Sequence, residues 1–450
     1  MKWNKRVRRL VGVLVVGTLV VAPLSLTGCW DLHEIDEYVH ASAMALDKGL
    51  LPGSIRVTVI FEEQPLQTGS SPGTSPGGAG SSSLVTATAE GPSLYVAAER
   101  LKDVTNRMIT FSHVRLIVLG EDLAREGISR VFDALSRSRD IRRSVGMAVA
   151  DGVTGQEVLE TARGNIEVSP STYLGGLSET HQVVTGRSIN VKLHEVDIAF
   201  NQPGEEIVMP LIGLAPKPPA PTPPGKATGG SGGAGGSGGG TGGGSGGAGG
   251  QAPPGGGEAQ GQTVAATEKR AAVNGLAVFR SEKMVAKLTP EQTLAYQLAT
   301  GKANRILIDF GGLATAYAGM VVQLDPVHRD VRVTRNGSQV DIALELRLQA
   351  TLLELTSPVQ VIDPPNLVHV RALLAAEIER RVRDVISLAK TEVGGDFFGF
   401  SIPARRTFKT WADWAGYDWH THFRAANVSV KAVGTGLRTG IIFQPLGPSQ

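Results

Sequence analysis

Apolar and polar positions along this chain change their period several times, and each change marks an element. Leu10 to Leu26 is almost wholly apolar, behind a start that carries Lys2, Lys5, Arg6, Arg8 and Arg9 and no acid. Ile55, Val57, Val59 and Phe61 alternate with Arg56 and Thr58, the period of a half-buried strand. A helical stretch is predicted from Pro92-Ser93 to about Asn106, then a compact buried strand over His113 to Gly120. Ile128, Val131, Phe132 and Leu135 fall at i, i+3, i+4 and i+7, one face of a helix. Val145 to Ala150 reads as a further strand, and Thr154 with Glu157 makes a capping box for the helix behind it. Strands and helices in alternation point to an α/β layer with crossover connections. Pro170 to Leu214 adds a helix, a short mixed segment and an apolar strand.

Beyond residue 262 the rhythm is different. Ala272 to Arg280 and Met284 to Leu288 read as a hairpin. Thr289-Pro290-Glu291-Gln292 supplies an N-cap, a proline at the first helical position and a closing glutamine, with Gly301 placed to end that helix. Two long strands flank the turn signal Asn336-Gly337. After Pro364-Pro365 a long helix carries Leu373, Leu374, Ile378, Val382, Val385 and Leu388 as its buried stripe and ends at Gly394. Val428 to Val433 and Arg438 to Phe443 are expected as two strands, with Gly434-Thr435-Gly436 the turn between them. Long helices over an antiparallel sheet describe an α+β domain.

Composition divides the chain where periodicity stops. Residues 216–262 are dominated by Gly, Pro, Ser and Ala, and Gly229 to Gly250 holds only Gly, Ser, Ala and Thr. Such a segment cannot bury enough apolar surface to offset its ordering entropy, and as a coil it spans roughly 35–40 Å. These boundaries predict a signal peptide at 1–28, an N-terminal α/β region at 29–215 with a Gly/Ser insertion at 67–83, a disordered linker at 216–262, and a C-terminal α+β domain at 263–450. The fold class is mixed α/β and α+β, multi-domain with two to three domains, mixed sheets and long packed helices.

Cys29 is the only cysteine among 450 residues, and it stands directly behind the basic and apolar leader in Leu26-Thr27-Gly28-Cys29-Trp30-Asp31. That is the layout of a lipoprotein signal, in which the thiol is acylated and the chain is cut just before it. The apolar run is shorter than the ~20 residues a spanning helix needs and contains Pro23, which ranks a transmembrane anchor second. An acylated Cys29 leaves no thiol for disulfide, redox or nucleophilic chemistry, and two acyl chains hold a membrane far more firmly than one. The formal charge is +2, and removing the five basic residues of the leader leaves the remainder near −3. Such a balance offers no basic excess for nucleic acid.

Behind Cys29 the sequence runs Trp30-Asp31-Leu32-His33-Glu34-Ile35, then Ala45-Leu46-Asp47-Lys48. With Phe111 to Ile128 leading to Arg139-Asp140-Ile141-Arg142-Arg143, with Ala277-Val278-Phe279-Arg280 followed by Lys283, Leu288 and Thr289, and with Asp396-Phe397-Phe398-Gly399-Phe400 before Trp411, Trp414 and Trp419, the chain resembles the Ger(x)C family. These are the lipoprotein C subunits of GerA-type spore germinant receptors. The resemblance covers nearly everything after the leader except the two glycine-rich insertions. It implies a mixed three-domain architecture and a place on the outer face of the spore inner membrane, held by lipid on Cys29. It also implies partnership with an A-type subunit and a multi-spanning B-type subunit in detecting amino acids, sugars or nucleosides. Germinant recognition is usually credited to the membrane-spanning partners, so no ligand pocket is assigned to this chain.

The search for chemistry yields little. G-x-S-x-G occurs around Ser71 and Ser231, but both lie in low-complexity tracts with no strand entering and no helix leaving. Gly225-Lys226 and Gly301-Lys302 lack the rest of a P-loop. His420-Thr421-His422 with Asp418 could be stretched into a metal cluster, yet histidines two apart on a strand face opposite ways and no third ligand is near. Asp47, Glu62, Glu63 and the run from Arg139 to Arg143 read as solvated positions with local ion pairs. No catalytic, cofactor-binding or metal residue is assigned. The aromatic cluster from Phe397 to Phe423 reads first as a core corner, with Trp411 and Trp414 sharing a helix face, and second as an interface; Trp30 is expected near the headgroups. Two classes of function stand: a non-enzymatic receptor subunit, which the resemblance favours, and an independent surface lipoprotein, either solute-binding or hydrolytic.

Overall fold

The computed structural model describes residues 4–25, 37–62, 84–105, 107–161, 170–216, 269–309, 320–355 and 364–438. Helix α1 (Lys5–Ser25) carries the leader's apolar run, and its side chains from Leu10 to Val16 are exposed. Among the described residues no helix is long and apolar enough to cross a membrane. Cys29, Trp30, Ser71, Ser231 and most of the two glycine-rich insertions lie outside the described residues.

The first sheet grows from β1 (Tyr38–Lys48), β2 (Ile55–Glu62) and β3 (Leu84–Gly91), an antiparallel meander backed by α2 (Leu94–Arg100). The short β4 (Met108–Thr110) pairs with the start of β1, and β5 (Leu116–Leu119) lies parallel beside the rest of it. Next come α3 (Glu121–Glu126), α4 (Ser129–Arg137), β6 (Gly146–Ala150), α5 (Gly155–Glu160) and α6 (Pro170–Val184). The stretch closes with β7 (Val191–Lys192), α7 (Leu193–Asn201) and β8 (Val208–Pro216). Strands β1, β5, β6 and β8 are parallel neighbours. Both faces of this centre are covered, as the unbroken apolar runs in its strands require. Met44, Leu46, Ile117, Leu119, Met147 and Val149 face the larger core. The alternate positions Ala43, Ala45, Leu116, Val118, Ala148 and Ala150 meet Val158, Leu159 and Leu174 of α5 and α6.

The small side chains on that second face let α5 approach closely: a Cβ on Gly155 would lie 3.0 Å from the Cβ of Ala45. Asp47 then closes the contact. It is buried at the end of β1, where Oδ1 accepts the N–H of Gly155 at 2.7 Å and Oδ2 that of Gln156 at 3.0 Å. Burial pushes its carboxyl above the usual range, and the two donors oppose that. Asp47 is therefore not the solvated acid expected from sequence. It satisfies orphan N–H groups at a helix start 108 residues downstream.

The sheet does not end at the glycine-rich segment. Strand β9 (Lys269–Arg280) pairs antiparallel with β8, and β10 (Lys283–Leu288) with β9, giving a ten-stranded order β10-β9-β8-β6-β5-β1-β2-β3 with β4 and β7 at its margins. The expected hairpin is present, but it belongs to the first sheet and not to a separate C-terminal unit. The reason is apolar continuity: Leu276 to Phe279 are fully buried and extend the core that β8 leaves open. Pro216 stands opposite Lys269, so residues 217–268 join neighbouring paired positions and do not bridge a gap.

Helix α8 (Pro290–Thr300) has the capping box and terminal Gly301 read from sequence. A second, five-stranded sheet follows: β11 (Ile306–Asp309), β12 (Met320–Leu324), β13 (His328–Asn336), β14 (Gln339–Leu355) and, at the end of the described chain, β15 (Asn427–Arg438). Helix α9 (Pro364–Leu388) lies against β15 and α8. It buries Val370, Leu374, Ile378, Val382 and Val385, while Leu373 and Leu388 are half-buried. A π-helical turn, Ala389–Val393, and Gly394 end it. Three short helices, α10 (Ser401–Arg405), α11 (Trp411–Ala415) and α12 (Trp419–Ala425), lead into β15. This sheet is mixed and not antiparallel, because β15 runs parallel to β14. Gly434-Thr435-Gly436 is no turn either. It lies inside β15, absorbed by an irregularity opposite Leu348 and Gln349.

Because the glycine-rich segment closes a hairpin, its length serves no spacing. Replacing residues 217–268 by a four-residue turn shortens a loop of roughly 50 residues and is expected to stabilise the fold by up to about 2 kcal/mol through a lower closure entropy. Urea unfolding of the shortened chain checks this, and a marked loss of stability would show that the segment packs.

Candidate functional site

The stretch Asp396-Phe397-Phe398-Gly399-Phe400 lies where the two sheets meet. Asp396 is fully buried and is the hub of that loop. Oδ1 accepts the N–H of Phe398 at 2.9 Å, and Oδ2 accepts those of Ser401 at 2.7 Å and the Trp419 indole at 3.0 Å. Burial raises its pKa while these donors favour the carboxylate. The saturated acid fixes α10 against α12 and aims the aromatic side chains inward. Phe397, Phe398, Phe400, Trp414, Trp419 and Phe423 are buried, with successive ring centroids 4.5 to 6.2 Å apart. Trp411 departs from the expectation: it is 54% exposed and does not share the buried face with Trp414. It is the first residue of the five-residue α11, and its ring lies under the Arg405 guanidinium, 5.6 Å from the ring centroid.

Glu206 brings the first sheet to this hub. It sits just before β8, where its N–H donates to the Asp396 carbonyl at 3.1 Å. Its Oε2 accepts the Ser281 N–H at 2.7 Å, and its Oε1 lies 3.3 Å from His420 Nε2. The second contact is close enough for an ion pair but is not aligned as a hydrogen bond, and neither Glu206 Oε1 nor His420 Nδ1 has a hydrogen-bond partner among the described residues. Burial pushes Glu206 up to about 7 and holds His420 below the usual imidazole range. Beside them Gly204, at φ 89°, turns the chain onto the indoles; a Cβ there would lie 2.8 Å from Trp419. The aromatic cluster is thus a core corner that also receives the first sheet's α7–β8 turn.

A cavity of about 350 Å³ opens beside this joint between α7, α8 and the Asp396 loop. Val196, Ile207, Tyr296, Phe397 and Phe398 supply its apolar wall, and Glu195, Glu205, Lys302 and Arg329 its charges. Arg329 donates to the Phe398 carbonyl at 3.0 Å and lies over the Phe400 ring, while burial depresses its pKa. Glu205 is raised by burial and then by the charge of Asp396. A smaller cavity of about 230 Å³ adjoins it, lined by Gly204, Glu205, Glu206, Ser281 and His420. These groups hold two loops together, and Ser281 takes part through its backbone N–H, so the arrangement offers a polar crevice without an aligned nucleophile and base.

The His420-Thr421-His422 set lies on α12 and not on a strand, with Asp418 as the N-cap. His420 turns to Glu206, whereas His422 stacks on Tyr417 at 3.9 Å and meets the Asp418 carbonyl. Among the described residues no group of three or more His, Cys, Asp or Glu could hold a metal ion. Arg143 pairs with Asp197 and belongs to no acid–base set. Glu205 and Glu206 were not singled out from sequence; the one signal for them is two acids directly ahead of an apolar strand.

Two family profiles match the chain. One described as "Spore germination protein N-terminal domain" covers residues 31–214, and one described as "Spore germination B3/ GerAC like, C-terminal" covers 274–440. YfkR of Bacillus subtilis (strain 168), named for spore germination, is 22% identical over 94% of this chain and 95% of its own length. Spore germination protein KC of the same organism is 25% identical over 42% of this chain and 44% of its own. A solved structure of the GerBC protein aligns with 90% of this chain and 99% of its own at 13% identity and a TM-score of 0.49.

Two outcomes test the joint. Asp396→Ala leaves three buried donors unpaired and is expected to cost about 3 kcal/mol or more in urea unfolding. Glu206 has a raised folded pKa, so its contribution is full below the unfolded value of 4.5 and is lost as pH rises through about 7. Glu206→Gln is therefore expected to remove a loss of stability on the order of 3 kcal/mol between those limits. His420 slopes the opposite way, and because the two groups are in contact the difference between parent and Glu206→Gln curves reports Glu206 together with its coupling to His420. Curves that stay parallel across this range would contradict the assignment.

Proposed function

Because the chain belongs to the Ger(x)C family of spore germination proteins, with family profiles matching 31–214 and 274–440, we propose that it is the lipid-anchored, non-enzymatic C subunit of a nutrient germinant receptor. It acts by contact with membrane-spanning A-type and B-type subunits on the outer face of the spore inner membrane. The match of both profiles, in order and over most of the chain, is the observation that carries this reading. The basic and apolar leader ending at Cys29 supports attachment by acylation of that thiol. The exposed apolar side chains of α1 find no cover within the protein, as suits a segment read and removed at the membrane. The buried carboxylates are spent on loop closure and on the joint between sheets, which supports a role in presenting surfaces.

A second reading, a solute-binding lipoprotein working alone, draws on the cavity beside Arg329 and Glu205. The two readings part in spores. Loss of this chain is expected to abolish the response to its receptor's nutrients while receptor-independent germination persists, and Cys29→Ala is expected to leave the leader uncut or release the protein from membrane fractions. Membrane-bound parent protein with an unmodified Cys29 would refute the anchor. Recovery of the chain from spore membranes without A-type or B-type subunits would refute the receptor role.

A further inference from the structure

The larger cavity at the joint is lined by four acids, Glu195, Glu205, Glu206 and Asp396, and by two bases, Lys302 and Arg329. Three of the acids are met by the chain's own donors. Asp396 is saturated, Glu206 accepts the Ser281 N–H, and Glu195 accepts the Lys192 N–H at 2.8 Å at the start of α7. Glu205 is different: half-buried, its carboxylate has no hydrogen bond or ion pair among the described residues. Lys302, exposed just past α8, has none either, so an acid and a base face one space without closing on each other. Arg329 gives a single hydrogen bond, to the Phe398 carbonyl, and its Nε is buried without a partner. Tyr296 on the same wall is 3% exposed, yet its hydroxyl has no hydrogen bond among the described residues, which is unusual for a buried phenol.

The three donors share a neighbourhood. Burial raises the pKa of the Tyr296 hydroxyl, and the charges of Lys302 and Arg329 oppose that rise. Burial and then Asp396 raise Glu205, against the charges of Arg405 and Lys302. Between these groups the wall is apolar, with Ile207, Phe397 and Phe398 buried and Ile198 and Ile402 partly exposed at the rim. We propose that this cavity binds a small zwitterion carried on an apolar body. Lys302, Arg329 and the Tyr296 hydroxyl receive its carboxylate, Glu205 receives its ammonium, and Ile207 and Phe398 cover the apolar part. A plain anion would leave Glu205 unpaired beside it, and a plain cation would meet two bases; a molecule with both charges satisfies all four groups. The volume of about 350 Å³ falls at the small end of the ~300–1,000 Å³ that ligand pockets span. The site rests neither on the lipid at Cys29 nor on partner subunits, and it serves a chain working alone as well as one in a receptor.

The test is equilibrium dialysis of the full chain in mild detergent against labelled L-leucine, with protein-free micelles as the blank. Saturable binding near one leucine per chain is expected, with a Kd of about 1 mM or tighter. Two competitors each lack one charge of leucine: 4-methylpentanoate has no ammonium, and 3-methylbutylamine has no carboxylate. Each is expected to compete at least about tenfold more weakly than leucine itself. Lys302→Gln and Glu205→Gln are each expected to weaken leucine by about tenfold or more without lowering the thermal unfolding midpoint. The two differ in the competitor they spare, since Glu205→Gln is expected to improve 4-methylpentanoate and Lys302→Gln to weaken it. Tyr296→Phe, which removes only the hydroxyl, is expected to weaken leucine as well. No saturable binding of leucine, competition by both analogues as strong as by leucine, or parent-like binding by Lys302→Gln and Glu205→Gln would each overturn the proposal. Recovery of the chain with or without A-type and B-type subunits decides the receptor role separately, so failure of one reading is distinguishable from failure of the other.

Discussion

The pairing of β8 with β9 is the contact on which the rest of the structure depends. Without it the parallel centre β1, β5, β6 and β8 would end in an open edge, and the apolar run Leu276 to Phe279 would have no sheet to join. With it, the chain beyond the glycine-rich segment is committed to the first sheet before it starts the second. The turn after β9 then delivers the Ser281 N–H to Glu206. The Phe279 N–H bonds the Ile207 carbonyl at 2.9 Å, next to the residue that meets Asp396. The joint between sheets therefore follows from strand pairing, and it does not depend on a docking of two finished domains.

Buried carboxylates hold the places where distant segments must meet. Asp47 receives the start of α5, Asp396 the loop around α10 and α12, and Glu206 the turn after β9. Each accepts backbone N–H groups that apolar side chains could not satisfy, so each removes a penalty as well as adding a bond. Asp396 is saturated, whereas Glu206 keeps one oxygen facing an imidazole without an aligned bond. Burial carries Glu206 up to about 7, within the neutral range.

Local patterns were legible where one element decides its own form. The capping boxes at Thr154 and Thr289, the Asn336-Gly337 hairpin and the stripe on α9 all stand in the structure. Partnership was not legible, because it depends on strands far apart in sequence. The hairpin after residue 268 carries the same alternation whichever sheet it joins, and only the unfilled edge of β8 decides. Gly434-Thr435-Gly436 has the composition of a turn, yet eleven paired positions along β14 keep it extended. Asp47 read as solvated because nothing in its neighbourhood names Gly155 and Gln156 as its donors. Of the joint, Asp396 and His420 were visible as part of motifs, while the acidic pair Glu205 and Glu206 carried no spacing that marks a site.

Geometry also constrains how a tethered chain of this kind can act. A lipid on Cys29 would fix one point, and a single point leaves the body free to rotate about the segment that leads to Tyr38. A partner that reads a surface needs that rotation restricted, since each lost degree of freedom otherwise counts against association. The joint at Glu206 and Asp396 ties the second sheet to the first, so a partner that restrains the orientation of either sheet restrains both.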